Sequence, residues 1–310
     1  MPAQSSPELP LAPTALIVGC GYLGRHVAQR LLAMGGVVYG TTRSTQRAQQ
    51  LARIGVRPML VQVTQPLTLA ALRPAMEAES LDVYHLVPPG RPGQSPSPRQ
   101  VVLGGTAHLV KTLRHARVRR AVMTSSTAVY SQRDGARVDA DTPAQPLDER
   151  GKLLLEGERL WLQAGASYYV VRLAGLYGPG RIIGQQALQQ GAPLVGDPQA
   201  MLNLIHVEDA ADLLLAVMRS AGAGRVELGC DGRPVPRIDY YTHLAQRLGL
   251  NPPAVLDDVQ AAVSLGLNLQ RLRSASSKTL DPTITCQRTG WRPRYRDYRQ
   301  GLDALLPRPA

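Results

Sequence analysis

Short apolar runs alternate along the chain with stretches in which apolar residues recur at helical spacing. Ala15–Val18 is such a run and stops at Gly19; from Tyr22 to Met34 the positions Leu23, Val27 and Leu31 mark one helical face, closed by Gly35 and Gly36. Val37–Tyr39 begins a second strand, Thr41–Gly55 reads as a turn plus helix, Met59–Val63 as a third strand, Leu67–Ala75 as a helix and Val83–Val87 as a fourth strand. Near-continuous apolar strands separated by helices predict an α/β fold on a doubly wound parallel sheet, because such strands have no side left for water.

The rhythm continues with a helix from Gln100 to His115, a strand at Ala121–Ser125, a helix at Leu147–Ala164 and a strand at Ser167–Leu173. Pro88–Arg99 interrupts it. The prolines after Pro88 deny the segment donors and helical geometry, so a mobile loop is expected at the carboxyl end of the fourth strand. Beyond Tyr177 short strands (Leu202–His206, Arg225–Gly229) alternate with helices (Glu208–Arg219, Ile238–Leu248), and Pro253–Leu272 has no assignable pattern. The organisation expected is a disordered tail over residues 1–13, a dinucleotide-binding domain over 14–175, and a smaller substrate-binding lobe over 176–310, interleaved in one compact unit. In an open parallel sheet the ligand crevice lies at the carboxyl ends of the strands, where the glycine turn, the Pro-rich loop, Ser125-Ser126 and Gly175–Gly180 all fall.

Gly19, Gly21 and Gly24 form G-x-G-x-x-G between a strand and a helix, the context that this Rossmann motif requires. The first glycine permits the tight turn, the second lets backbone approach a pyrophosphate, the third lets helix pack on strand, and the helix N-terminus faces the phosphates. An acid about 20 residues further on would bind the ribose hydroxyls of NAD. This chain instead has Thr41-Thr42-Arg43-Ser44, and no acidic residue between Glu8 and Glu77. A guanidinium with a hydroxyl beside it suits a 2′-phosphate, which favours NADP(H) over NAD(H). The alternative is that Arg43, Arg47 and Arg53 form only a solvated helix face.

Composition adds boundaries. The 310 residues are 44% hydrophobic, enough for a core without staples, and Cys20, Cys230 and Cys286 contain no C-x-x-C pair. A disulfide framework and a cysteine zinc site lose support, no metal constellation is visible, and a reducing cytoplasm is the simplest home. No apolar run approaches the ~18 residues of a membrane span. The net charge of +12 raises nucleic acid as a partner, but it is polarised: +10 over residues 1–120, −4 over 121–270 and +6 over 271–310. Nucleic acid is therefore disfavoured, although aromatics interleave with arginine over Trp291–Arg299. On the helix at Leu147–Ala164, Leu153, Leu154, Leu160 and Trp161 share one face while Leu155 and Leu162 point the other way. The second face needs a cover, either a homodimer partner or the Pro-rich loop.

Several ordered segments resemble the extended short-chain dehydrogenase/reductase superfamily, of the NAD-dependent epimerase/dehydratase kind. They are Gly19-Cys-Gly-Tyr-Leu-Gly24, Thr124-Ser-Ser-Thr-Ala-Val-Tyr130, Val171-Arg-Leu-Ala-Gly-Leu-Tyr-Gly-Pro-Gly180 and Asn203-Leu-Ile-His-Val-Glu-Asp-Ala-Ala-Asp212. The resemblance implies a cofactor site of Gly19, Gly21, Tyr22, Leu23, Gly24, Thr42, Arg43, Ser44, Leu86, Val87, Pro88, Ser125, Ala174 and Leu176, with Tyr177, Arg181 and Asn203 at the substrate. It also implies hydride transfer with a Ser polarising the reacting oxygen and a Tyr-x-x-x-Lys pair moving the proton.

Ser126 matches the serine. The tyrosine has no match: placing Lys152 as the lysine puts Asp148 at the phenol position, and placing Glu158 as the family's helix glutamate puts Arg150 and Leu154 in place of Tyr and Lys. The usual Asp after the third strand is also replaced, by Val63-Thr64. Lys152 and Glu149 are the substitute candidates for proton transfer, against a plain role as helix-start charges. His206 reads as a cap on the following helix rather than as a catalytic group. The expected activity is an NADP(H)-dependent oxidoreductase, epimerase or dehydratase acting on a nucleotide sugar or similar small polar metabolite. The alternative is a catalytically inactive dinucleotide-binding sensor or scaffold.

Overall fold

Apolar alternation within each strand sorts side chains to the two faces of a single sheet. The computed structural model describes residues 13–256 and 277–306; the expected tail and most of Pro253–Leu272 lie outside the described residues. The order is β1 (Thr14–Val18), α1 (Tyr22–Ala33), β2 (Val37–Thr42), α2 (Thr45–Arg53), β3 (Arg57–Leu60), β4 (Leu81–His85), α3 (Thr106–Leu113), β5 (Val118–Ser126), α4 (Glu149–Leu162) and β6 (Tyr168–Leu173). There follow β7 (Gly175–Tyr177), β8 (Leu204–His206), α5 (Val207–Arg219), β9 (Val226–Gly229), α6 (Arg237–Arg247) and α7 (Tyr298–Leu305), with shorter elements between them.

The sheet has seven parallel strands in the order β9-β6-β5-β4-β1-β2-β3. Chain order reverses between β1 and β4, which opens a crevice at their carboxyl ends. Ile17, Tyr84 and Val122 face α1 and α5, packing with Val27, Leu31, Ala210 and Leu214. Leu16, Val83 and Ala121 face the opposite way, onto Leu109 of α3 and Trp161 of α4. A third core of Tyr177, Tyr240, Leu244, Tyr298 and Leu302 joins α6 and α7 to β7 and β8. Residues after 176 thus supply both this small core and two elements of the main layers, α5 and β9.

Several boundaries differ from the sequence expectation. β3 ends at Leu60 rather than Val63, because its only partner, β2, stops at Thr42 and turns into α2. Residues 66–76 form a 3₁₀ turn and one short α turn rather than one helix, since Pro74 has no N–H for Ala70. The helix expected from Gln100 opens with a π turn over Gln100–Gly105. The strand expected at Leu202–His206 breaks at Asn203, whose side-chain amide donates to the Lys278 carbonyl (2.8 Å) and accepts from Leu280 N–H (2.8 Å). On the first face of α4 a Cβ on Gly157 would stand 2.6 Å from Val102, while Leu155 and Leu162 on the second face are half-buried against the two main cores.

Candidate active site

The cofactor end of the crevice is made by backbone. Gly19 has φ +86°, and a Cβ there would stand 2.9 Å from Val87 N, so only glycine lets the turn lie against the chain leaving β4. Thr41 holds the turn: its hydroxyl accepts from Gly19 N–H (2.8 Å) and its carbonyl from Cys20 N–H (2.9 Å). At Gly21 a Cβ would meet nothing nearer than 3.9 Å, leaving open the cradle that a phosphate would fill. Gly24 lies under the helix, where a Cβ would be 3.0 Å from Gly19 O and 3.1 Å from Ile17. Among the described residues no side chain caps α1 and its first turn holds no acid, so its N–H groups stay available to an anion.

A cleft of about 680 Å³ runs from this turn to the end of β5. At its far end, beyond the glycine turn, it is lined by Thr42, Arg43, Arg47, Gln62, Val63 and Thr64. Ser44 does not join them; its hydroxyl caps α2, accepting from Arg47 N–H (3.3 Å). The middle is walled by Tyr22, Leu23, Leu86, Val87, Pro88 and part of the Pro-rich loop, and the opposite lip by Ala174, Leu176 and Arg181. The Ser125 hydroxyl is buried in this wall without a partner. A buried hydroxyl with no partner among the described residues, in the same cleft as an open phosphate cradle, fits a dinucleotide. His85 also lines the cleft; burial pushes it down to about 4, so it stands neutral, with Nε2 3.2 Å from the Thr106 hydroxyl.

The reaction end is made by side chains. Ser126 closes β5 and its Oγ accepts from Ala128 N–H (3.2 Å), which leaves the hydroxyl hydrogen free. Beside it α4 begins at the Asp148 cap, which accepts from Gly151 N–H (2.7 Å). A Cβ on Gly151 would stand 2.7 Å from Ala128 O, so the helix presses directly on the serine turn. The rotation of α4 is set deeper, where buried Glu158 pairs with Arg172 of β6 (2.7 Å) and Arg172 also donates to the Tyr130 hydroxyl (3.0 Å).

That rotation brings Arg150 and Leu154 to the cleft, one turn apart. Glu149 and Lys152 go elsewhere: they bond each other (2.8 Å) on the surface with side chains 90% and 56% exposed, and neither lines the cleft. Of the expected substrate residues only Arg181 reaches it, its guanidinium 5.7 Å from the Tyr22 ring centroid. Tyr177 is fully buried against Gly301, and the Asn203 amide is spent on the tie to Lys278 and Leu280. His206 caps α5, its Nδ1 accepting from Glu208 N–H (3.3 Å), in keeping with the structural role. Among the described residues no cluster of three metal-ligating side chains occurs, and no helix is long and apolar enough to cross a membrane.

Sequence reasoning missed Thr41, His85, Thr106 and the placement of Arg150. Only the last had a signal, the alignment of Glu158 as the helix glutamate.

A family model described as the NAD dependent epimerase/dehydratase family matches residues 15–229. The chain is similar to Protein YeeZ of Escherichia coli K12, 30% identical over 286 residues that cover 91% of this chain and 96% of that protein. It is also similar to a 3-diazoavenalumate denitrifying reductase from a Streptomyces species, 27% identical with 93% and 98% covered. Among solved structures, a conserved Silicibacter pomeroyi protein of unknown function superposes with a TM-score of 0.70 at 28% identity, covering 94% and 97%.

Proposed function

The chain belongs to the NAD dependent epimerase/dehydratase family, and from that premise we propose that it is an NADP(H)-dependent reductase of a small polar metabolite. The observation that carries the reading is the continuous cleft from the glycine cradle to Ser126, with Arg43 and Arg47 at its adenine side and no acid among its described lining residues. When bound, the cofactor supplies a hydride. Gly19, Gly21 and the first turn of α1 would hold its pyrophosphate, Ser125 would meet it with the unpaired hydroxyl, and Thr42, Arg43 and Arg47 would face a 2′-phosphate. Ser126 would orient the reacting oxygen.

The reductive direction is favoured by what α4 brings. Oxidising an alcohol, the first step of an epimerase or dehydratase, needs a base for the hydroxyl proton. The described cleft lining offers Arg150 at the start of α4 and, elsewhere, Cys20 pushed up to about 12 by burial, the Tyr22 phenol raised by burial and His85 pushed down to about 4. None is a base near neutral pH, whereas hydride delivery needs only a place for negative charge. A nucleotide sugar remains the family-level substrate. A second reading, a dinucleotide-binding sensor without catalysis, is favoured by the same missing phenol.

Fluorescence titration of the full chain with NADPH and NADH tests the cofactor. NADPH is expected to bind more tightly, and Arg43→Ala to weaken NADPH about 10-fold with NADH unchanged, the loss of one charge-assisted contact. Equal affinities would remove the NADP preference, and no binding of either would remove the reductase. NADPH oxidation with carbonyl substrates, abolished by Ser126→Ala, separates the enzyme from the sensor.

A further inference from the structure

We infer that Arg150 is the electrophilic residue of this site, and that the substrate is a conjugated carbonyl compound whose oxygen leaves hydride transfer as a delocalised anion. The inference rests on the reductase reading and deepens it.

The geometry is the ground for it. The Glu158–Arg172 pair and the Gly151 contact with Ala128 fix α4 so that the residue pointing at the Ser126 end of the cleft is Arg150. One turn on is Leu154, which offers no ammonium to tune a proton donor. Its neighbour Glu149 is engaged by Lys152, and among the described residues no hydrogen bond or ion pair occupies the Arg150 guanidinium. Arg150 is exposed at the cleft mouth, so its charge does not pay for burial when the site is empty.

A guanidinium cannot serve as a general acid, because it does not give up its proton in a protein. It can stabilise an oxyanion through N–H bonds aimed where charge develops. The matched step is a hydride moving from the dihydronicotinamide C4 to the far carbon of a conjugated C=C–C=O. The C4–H bond breaks, a C–H bond forms, and the π pair shifts onto the carbonyl oxygen as an enolate or phenolate. Arg150 and the Ser126 hydroxyl receive that oxygen, and water at the open mouth supplies the balancing proton afterwards. The cofactor is oxidised and the acceptor is reduced by two electrons. A saturated ketone would instead end as a localised alkoxide, which needs a proton in the step itself; the phenol of the described lining, Tyr22, has its hydroxyl buried beside Gly178 and Val207 instead.

Two measurements on the full chain saturated with cofactor test this. In the NADP⁺ complex, 4-nitrophenol is titrated against pH and its ionisation read by absorbance, independently of turnover. Arg150 is expected to raise the acid dissociation constant of the bound probe by about 10-fold. The shift should vanish in Arg150→Leu and persist in Arg150→Lys, with NADP⁺ affinity unchanged in both. In the second measurement 2-cyclohexen-1-one and cyclohexanone are compared as NADPH oxidants at equal concentration, and the conjugated ketone is expected to react at least about 100-fold faster. Absence of saturable probe binding, an unshifted probe, or equal oxidation by the two ketones would overturn the assignment of Arg150. Failure of NADPH and NADP⁺ to bind at all would overturn the reductase reading beneath it.

Discussion

The two ends of the cleft are built by different means. At the glycine end the working groups are backbone N–H donors, placed by a turn whose shape follows from Gly19, Gly21 and Gly24 within six residues of chain. At the Ser126 end the working groups are side chains on α4, and which of them face the cleft depends on Glu158 reaching Arg172 on a different element. A backbone site tolerates exchange of neighbouring side chains and fails when a glycine is lost. A side-chain site keeps its scaffold while its chemistry changes with the residues that face the cleft, here Arg150 and Leu154.

The strongest way to break the contrast is to release α4. Glu158 and Arg172 have side chains only 2% and 6% exposed, so Glu158→Ala leaves a buried guanidinium without its counter-charge. The expected cost is about 3–5 kcal/mol, read as a fall in the urea midpoint. Glu158→Met combined with Arg172→Met should recover most of that loss, because a packed apolar pair avoids the desolvation of both ions. If Glu158→Ala leaves the midpoint unchanged, the pair does not set the rotation of the helix.

A smaller effect is expected at the other end. Gly19→Ala forces an L-residue to φ +86° and drives its Cβ against Val87 N. The left-handed conformation alone costs about 1–2 kcal/mol. With the turn displaced, the affinity for NADPH should fall by about 30-fold or more in the same fluorescence titration, while Gly93→Ala should leave it unchanged. Gly93 also has positive φ, but nothing lies within 4 Å of its Cβ position. Equal losses for both would mean that strain in the chain, and not the cradle, is being measured.

The legibility of the sequence divides along the same line. The parallel sheet and the glycine turn after β1 were readable because each depends on residues close in sequence or on period alone. Thr41 was not, since the hydroxyl that holds Gly19 comes from 22 residues away on β2. Ser44 was read as a phosphate ligand where it caps α2; the cap signal and the ligand signal are the same residue type in the same place. Tyr177 and Asn203 were assigned to substrate by likeness; in the structure neither is among the described cleft-lining residues, Tyr177 being buried and both ends of the Asn203 amide bonded. For α4 two registers fitted the sequence equally, and of their residues the described cleft lining holds Arg150 and Leu154 but neither Asp148 nor Lys152.

The smallest expected effect is the one that discriminates those two registers. Were Lys152 the functional lysine, its ammonium would have to enter the cleft, and Lys152→Ala would lower kcat for NADPH oxidation by orders of magnitude. Its Nζ instead bonds Glu149 on an open surface, a pair of the solvent-screened kind that contributes little to stability. Lys152→Ala and Glu149→Ala are therefore each expected to leave kcat and the NADPH affinity within about twofold of the parent chain, with at most a slight fall in the urea midpoint. Arg150→Leu, two residues from Lys152 on the same helix turn, should abolish the shift of the bound phenol. Similar losses from Arg150→Leu and Lys152→Ala would point to a helix start that merely needs its charges, because disturbance of the first turn acts on neighbours alike whereas a side chain aimed into the cleft acts alone.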